Sequence, residues 1–212
     1  MNKETPLVPI TTETHDILIH LVYATTENIT GKKIYDRPLC LLHQDAASKL
    51  SRVIETLVPL ELKVKIWDAY RPLEAQRQLF THTSDPAYVS DPETGVHSHC
   101  RGIALDLTLI DKYGNELPMG TNFDDFRPLA HHGNNKISEE AQHNRLLLAG
   151  VMAIAGFEPI DNEWWHYQLP NAYNYPVINE DKAQTGIIDR TLKNDFTKTA
   201  LKKNYEQSNT VF

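Results

Sequence analysis

An acidic residue interrupts an apolar, strand-like stretch of the chain, and this limits how the chain can fold. Residues 103–109 read IALDLTL, with Asp106 at the fourth position. Alternate side chains of a strand face opposite sides of its sheet, so the carboxylate shares a face with Ala104 and Thr108. An ionised carboxylate is costly to bury unless it is paired or bound to a metal ion. The fold must therefore bring a partner to Asp106.

A histidine shortly before this strand is a candidate partner. His99 is separated from the strand by Gly102, whose conformational freedom lets the chain fold back. A histidine and an aspartate so placed can converge on one cation, and zinc accepts both ligand types. Alternatively, Asp106 is buried and only accepts hydrogen bonds, while His99 lies at the surface. This fragment alone favours neither interpretation.

A second short motif contains a glutamate and a further histidine. Residues 163–166 read EWWH at the start of a predicted strand. Strict alternation places Trp164 and His166 on one face and Glu163 and Trp165 on the other. The glutamate then reaches the site of the histidine only at the mouth of the strand, where twist or a bend turns it inward. In the alternative interpretation, the tryptophans form core and the histidine merely forms hydrogen bonds.

Together the two motifs describe a metal site of the catalytic type. Catalytic zinc sites combine three protein ligands with a water molecule. His99, Asp106 and His166 are three ligands of suitable type, and Glu163 remains as a free carboxylate nearby. The combination is more specific than either motif, because a glutamate three residues before a histidine is weak evidence by itself.

Periodicity along the chain predicts an α+β fold, in which a small antiparallel sheet carries the zinc site and is flanked by helices. Apolar residues at helical spacing predict three helices, and alternating or apolar runs predict four strands. Loops as long as the polar segment 111–135 are usually functional. The predicted helices cover residues 45–57, 73–80 and 138–155, and the predicted strands cover residues 18–24, 61–67, 103–109 and 163–169.

Composition argues against several kinds of partner. The formal net charge of −7 disfavours nucleic acid and anionic membranes. The two cysteines, Cys40 and Cys100, are too few for a disulfide framework and favour free thiols. The N-terminal residues lack the apolar core of a signal peptide, and no stretch has the length of a membrane span. We therefore expect a cytoplasmic protein, or a periplasmic one if a signal peptide has been removed.

At these motifs the sequence resembles the D-Ala-D-Ala dipeptidases of the VanX type, within the larger group of zinc D,D- and L,D-peptidases. The resemblance extends from about residue 23 to residue 173 and rests on several separate blocks. These blocks are VYAT at 22–25, WDAYRP at 67–72, SHCRGIALDLTL at 98–109, PMGTNFD at 118–124 and EWWH at 163–166.

The resemblance implies a role for each residue of the metal site. His99, Asp106 and His166 correspond to the ligands of one zinc ion per chain, and Glu163 corresponds to the catalytic base. Arg71 corresponds to the cation that stabilises the reacting carbonyl oxygen. Judged from its position alone, Arg71 can equally be part of a structural ion pair at the end of a strand.

The resemblance also implies residues that contact a substrate. Tyr23, Asp124 and Ser98 correspond to substrate-binding positions, and the carboxylate of Asp124 suits an ammonium group. One departure affects this set, since His97 stands where the family is expected to have a small hydroxyl residue.

The activity implied is zinc-dependent hydrolysis of the free dipeptide D-Ala-D-Ala to two D-Ala, with a glutamate as general base. The partner is then a small dipeptide, and the oligomeric state stays open. One alternative is a zinc D,D-carboxypeptidase that acts on peptidoglycan stem peptides with the same metal site. Another is a non-catalytic zinc-binding module, although such a module needs neither Glu163 nor Arg71.

The chain is predicted to contain one catalytic domain and a tail. Residues 1–176 are assigned to the zinc dipeptidase domain, and residues 177–212 to a polar C-terminal extension. Ile188, Leu192 and Phe196 keep a four-residue spacing, which predicts a short helix docked on the body of the protein. A frayed tail is the alternative.

Overall fold

The computed structural model describes residues 6–83 and 88–188, and its centre is a five-stranded sheet with the order β2-β4-β5-β7-β6. Two further strands, β1 and β3, form a small antiparallel pair. The strands are β1 (Leu7–Pro9), β2 (Leu18–Ile19), β3 (Leu41–His43), β4 (Leu62–Asp68), β5 (Ala104–Asp111), β6 (Glu158–Ile160) and β7 (Glu163–Gln168). The α+β class predicted from the sequence is confirmed.

The central sheet is not purely antiparallel, which corrects the prediction. The edge strand β2 runs parallel to β4, whereas the other neighbouring strands are antiparallel. Parallel neighbours need a crossover connection that is much longer than a hairpin. The segment between β2 and β4 provides it, because it contains both β3 and the first helix.

The three predicted helices are present, together with a fourth short one. They are α1 (Gln44–Leu57), α2 (Leu73–Thr83), α3 (Glu139–Ala155) and α4 (Glu180–Ala183). The backbone N–H of Ala141 donates to Ser138 Oγ over 3.2 Å, which caps the N-terminus of α3. Gly156, with φ 92°, ends the helix in the left-handed conformation. No helix within residues 6–83 and 88–188 has the length and apolar character needed to cross a membrane.

The two faces of the sheet have different roles. Alternation along β4 and β5 places Val64, Ile66, Leu107 and Leu109 on one face, where they belong to the main apolar core together with buried residues of α1 and α3. Asp106 and its neighbours on alternate positions of β5 lie on the other face. Loops cover that second face, so polar side chains can meet there without interrupting the helical side of the core.

The predicted strand at 18–24 is shorter than expected, and this changes where Tyr23 lies. The strand ends at Ile19, and residues Val22–Ala24 form a 3-10 turn. Thr25 stabilises the turn, because its N–H and its hydroxyl both donate to the carbonyl oxygen of Val22, over 3.0 and 2.8 Å. An apolar run can therefore be buried without continuing as a strand.

The first part of the predicted extension packs on the protein. Ile178, Ile187 and Ile188 are buried in a second apolar cluster, which also contains Tyr23 and Tyr35. The backbone N–H of Ile178 donates to the carbonyl oxygen of Cys100. The domain boundary at residue 176 stays a prediction, and the predicted docking positions Leu192 and Phe196 lie outside the described residues.

Candidate metal centre

Three side chains from different parts of the chain converge in the loop-covered face of the sheet. His99 lies in a 3-10 turn just before β5, Asp106 lies on β5, and His166 lies opposite Asp106 in the register of β5 and β7. His99 Nε2 is 3.1 Å from His166 Nδ1 and 3.3 Å from Asp106 Oδ2, and His166 Nδ1 is 3.1 Å from Asp106 Oδ1. All three residues are buried.

Neighbouring hydrogen-bond acceptors determine which nitrogen of each histidine ring is protonated and which one directs a lone pair at the cluster. His99 Nδ1 lies 2.7 Å from the carbonyl oxygen of Ala69, and His166 Nε2 lies 3.2 Å from Gln168 Oε1. A carbonyl oxygen can only accept, so each of these outer nitrogens carries a proton and donates. In the neutral rings, His99 Nε2 and His166 Nδ1 then direct lone pairs at each other and at the carboxylate of Asp106.

This arrangement fits a divalent cation. Three acceptor atoms that face one another need a positive charge between them, and outer hydrogen bonds of this kind are typical of metal-bound histidines. Zinc–ligand bonds of about 2.0–2.1 Å in a tetrahedron imply ligand atoms separated by about 3.3–3.4 Å. The ligand atoms of the three residues all lie within 4.8 Å of one another. Nitrogen and carboxylate donors together suit zinc.

Asp106 is held in its charged form. Burial raises the pKa of this carboxyl group, but its electrostatic interactions with His99 and His166 outweigh burial and keep the pKa below its usual value. A permanently ionised carboxylate is the form that binds a metal.

Glu163 lines the same pocket as His166, although strict alternation places the two side chains on opposite faces of β7. A pocket of about 280 Å³ is lined by Glu163, Trp165 and His166, whereas Trp164 lines a different cavity. The pairing of β6 with β7 shifts register between Pro159 and Ile160, and the described pairing of β5 with β7 stops at His166. Glu163 is the first residue of β7, beyond the part paired with β5, so it lies at the mouth of the strand, the position that the sequence interpretation required. Its Oε2 is 4.0 Å from His166 Nδ1.

Burial changes the acidity of Glu163. Loss of solvent raises its pKa to about 8, with His166 opposing this rise and the charges of Asp106 and Asp124 adding to it. A cation bound to the cluster would lower the pKa towards neutrality, because positive charge favours the carboxylate. A carboxyl group with a pKa near 7 can both accept and donate a proton at neutral pH.

Arg71 belongs to an ion pair, which was one of the two interpretations drawn from the sequence, and it also lines the pocket. Its Nε and Nη2 donate to Asp68 Oδ2 over 2.8 and 2.7 Å. Nη2 is also 3.5 Å from Asp106 Oδ2, and the guanidinium lies 5.0 Å from the centre of the Tyr23 ring. Asp68 itself is fully buried and accepts a further hydrogen bond from the hydroxyl of Tyr35 over 2.7 Å.

The residues assigned to substrate binding lie around the same pocket. The hydroxyl of Tyr23 donates to Asp124, 3.2 Å from Oδ1 and 3.1 Å from Oδ2. Burial and the charge of Asp106 raise the pKa of Asp124 to about 7, against the hydrogen bond from Tyr23. Ser98 is buried with its Oγ 3.5 Å from His166 Nε2. His97 also lines the pocket, in the left-handed conformation with φ 58°.

Three residues of the site were not singled out from the sequence. Asp68 accepts hydrogen bonds from Arg71, and Tyr35 donates a hydrogen bond to Asp68. Gln76 accepts from Arg71 Nη1 over 2.9 Å. The acid three residues before Arg71 was a usable signal for Asp68. Nothing local to the sequence marks an uncharged glutamine on a helix as part of a site.

Comparison with known proteins shows which family this chain is similar to. The profile of the peptidase M15 family, described as D-ala-D-ala dipeptidase, matches residues 3–184. The D-alanyl-D-alanine dipeptidase of Escherichia coli strain K12 is 43% identical over 178 residues, which cover 84% of this chain and 92% of that protein. The D-alanyl-D-alanine dipeptidase of Enterococcus faecium is 32% identical over 189 residues, which cover 77% of this chain and 94% of that protein.

Proposed function

Since this chain belongs to the D-ala-D-ala dipeptidase family of M15 metallopeptidases, we propose that it hydrolyses free D-Ala-D-Ala to two D-alanines with one zinc ion held by His99, Asp106 and His166. One observation carries the proposal. The three ligand atoms lie within 4.8 Å of one another in a buried pocket that also contains an acid, Glu163, outside the ligand set.

Glu163 acts as the general base and then as the general acid. A bound zinc ion supplies Lewis acidity and lowers the pKa of a water molecule to about 7. Glu163 accepts a proton from the attacking water while the new C–O bond forms, and donates it to the amide nitrogen as the C–N bond breaks. Its burial supports this role, because burial raises the pKa of the carboxyl group and a bound cation would bring it back towards neutrality, where the group can both take up and release the proton.

Arg71 stabilises the negative charge that develops on the carbonyl oxygen of the substrate. The guanidinium stays protonated at any working pH, and Asp68 fixes its orientation through two hydrogen bonds. Removal of one such donor costs roughly 2.7–4 kcal/mol of transition-state stabilisation in known enzymes.

Asp124 and Tyr23 bind the free ammonium group of the dipeptide. The carboxylate of Asp124 is buried beside the pocket and is oriented by the Tyr23 hydroxyl. A substrate without the ammonium group would leave this acid unpaired, which disfavours longer or N-blocked peptides. Ser98, which lines the same pocket, contacts the substrate close to His166.

A panel of substrates with parallel metal analysis tests the proposal. The purified protein should contain about one zinc ion per chain and should hydrolyse D-Ala-D-Ala faster than L,L- or L,D-dipeptides and faster than a pentapeptide stem. A chelator should abolish the activity, and added zinc should restore it. Preference for the stem peptide would favour the carboxypeptidase alternative, and metal binding without hydrolysis of any member would favour the non-catalytic module.

A further inference from the structure

Gln76 is an uncharged side chain enclosed among the charged groups of the pocket. It lies on α2, is only 2% exposed and lines the pocket beside Arg71. Arg71 Nη1 donates to Gln76 Oε1 over 2.9 Å, and Gln76 Nε2 donates to the carbonyl oxygen of Ser90 over 2.6 Å. A guanidinium can only donate and a carbonyl can only accept, so these partners allow just one of the two amide orientations.

The amide of Gln76 contacts the nitrogen of the Arg71 guanidinium that Asp68 does not contact. Asp68 accepts from Nε and Nη2, whereas Gln76 accepts from Nη1. Contacts on two edges of a planar guanidinium prevent it from rotating about its last side-chain bond. Nη2 is thereby directed towards Asp106, which is 3.5 Å away at the metal cluster.

The second contact of Gln76 reaches the wall of the pocket. Ser90 belongs to the segment 88–90, which lines the pocket, and Val89 of this segment is buried in the second apolar cluster. Tyr88 of this segment stacks on Phe126, with ring centres 4.7 Å apart. Gln76 therefore connects the segment that contains Ser90 to the guanidinium of Arg71.

We propose that Gln76 is a positioning residue, which orients Arg71 towards the reacting carbonyl and couples that orientation to the pocket wall at Ser90. This inference rests on the proposed function, because it assumes that Arg71 stabilises charge during hydrolysis. Gln76 acts through Arg71 and needs no contact with the substrate.

Two substitutions separate the two contacts of the amide. Gln76→Met keeps the length of the side chain but can neither accept from Arg71 nor donate to Ser90. Gln76→Glu keeps an acceptor for Arg71 but cannot donate to Ser90, because its carboxylate oxygen and the carbonyl oxygen of Ser90 repel each other. Q76M should lower kcat about 10- to 100-fold with little change in KM, because a small misplacement of a catalytic group has effects of this size. Q76E should recover most of kcat but raise KM, since only the wall contact is lost.

The same substitution at Gln78 provides the matched control. Gln78 lies two positions further along α2, does not line the pocket, and its Nε2 has no hydrogen-bond partner among the described residues. Q78M should therefore keep the kcat and KM of the wild type. Zinc content and the thermal midpoint, measured for every variant, show whether a loss of activity reflects a loss of structure.

A double-variant comparison tests whether Gln76 acts through Arg71. In an Arg71→Lys background, Q76M should reduce kcat by less than threefold, because the group that Gln76 orients is already gone. An additive loss in that background would overturn the inference, as would a Q76M protein with wild-type kcat or a Q76E protein no better than Q76M. If Q76M does not fold, a Q76E protein with reduced kcat and unchanged KM overturns it. A wild-type protein that fails to hydrolyse D-Ala-D-Ala refutes the proposed function instead.

Discussion

Burial raises the pKa of Glu163 above that of an exposed glutamate, and this raised pKa suits a group that accepts and donates a proton. Glu163→Gln preserves the size of the side chain but removes its ability to carry a proton. We expect kcat to fall by roughly 10²- to 10⁴-fold, the usual contribution of general acid–base catalysis. Zinc content should stay at the wild-type level, because the three ligand residues are unchanged. Steady-state kinetics and elemental analysis of the same preparation measure both quantities.

A neighbouring glutamate provides the control for this prediction. Glu158 lies exposed on β6, next to the strand that carries Glu163, and Glu158→Gln should leave kcat unchanged. Loss of zinc from the Glu163→Gln protein would make this residue a ligand, and retained turnover would exclude it as the base.

The charge of Asp124 should determine how strongly the free amino group of a substrate is recognised. Asp124→Asn keeps the shape of the side chain and its contact with Tyr23 but removes the negative charge. A hydrogen bond to a charged group contributes about 1.5–3 kcal/mol, so kcat/KM for the free dipeptide should fall about 10- to 100-fold. The value for an N-acetylated dipeptide should change little. Asp125, which pairs with Arg127 and does not line the metal pocket, offers Asp125→Asn as the control. An equal loss on both substrates would contradict the assignment.

The two short motifs are sufficient to predict that His99, Asp106, Glu163 and His166 share one site. This was possible because a buried acid in a strand has few physically acceptable partners. The residues that support Arg71 are harder to predict. A glutamine in a helix is common at the surface, so the sequence around Gln76 does not indicate that its amide is buried. Its partner Ser90 lies 14 positions away, beyond the end of α2, and no local pattern in the sequence connects the two residues.

Gly102 connects the turn that carries His99 to the strand that carries Asp106, and it should tolerate no side chain. Its φ is 70°, and a Cβ atom would lie 2.7 Å from Leu7 Cδ2 and 3.1 Å from the backbone nitrogen of His43. Gly102→Ala should lower the free energy of unfolding by at least about 1–2 kcal/mol, the cost of a left-handed L-residue. It should also weaken zinc binding, because the strain falls between two ligands.

Gly114→Ala is the matched control for the Gly102 variant. Gly114 also has a positive φ, 90°, but a Cβ atom added there would meet no atom of a non-adjacent described residue within 4 Å. This variant should carry the backbone strain without displacing a neighbour. Denaturant unfolding and zinc titration of both proteins give the comparison, and equal zinc affinities for the two variants would contradict the expected link between the turn and the metal site.

Helices and strands differed in how well the sequence predicted them, for reasons of length. The helix α3 has 17 residues and a recognisable cap at Ser138, so its period and its start were both visible. The strands β1, β3 and β6 have three residues each, which is too few for a period of two to be detected. The register shift next to Glu163 depends on the neighbouring strand, and alternation within a single segment cannot reveal it.

Two apolar clusters stabilise the molecule, and residues of both line the pocket of the site. The main cluster is formed by the central sheet with α1 and α3, and the second contains Tyr23 and Tyr35 together with residues near the C-terminus. The hydroxyl groups of these two tyrosines donate to Asp124 and Asp68. Loss of the second cluster should therefore affect the orientation of site residues as well as the stability of the fold.

Two truncations test how far the functional unit extends. A protein ending at residue 188 contains all the described residues up to the end of the second cluster and serves as the reference. A protein ending at residue 176 lacks Ile178, Ile187 and Ile188, which are 9%, 0% and 3% exposed. Each fully buried isoleucine contributes about 1.5–3 kcal/mol, and the combined loss is comparable with the total stability of many domains. Urea unfolding and dipeptide hydrolysis measure the difference. If the shorter protein cannot be purified, Ile187→Ala in the full chain should cost about 2–5 kcal/mol. Full stability of the protein ending at residue 176 would instead place the end of the catalytic domain there, as the sequence alone predicted.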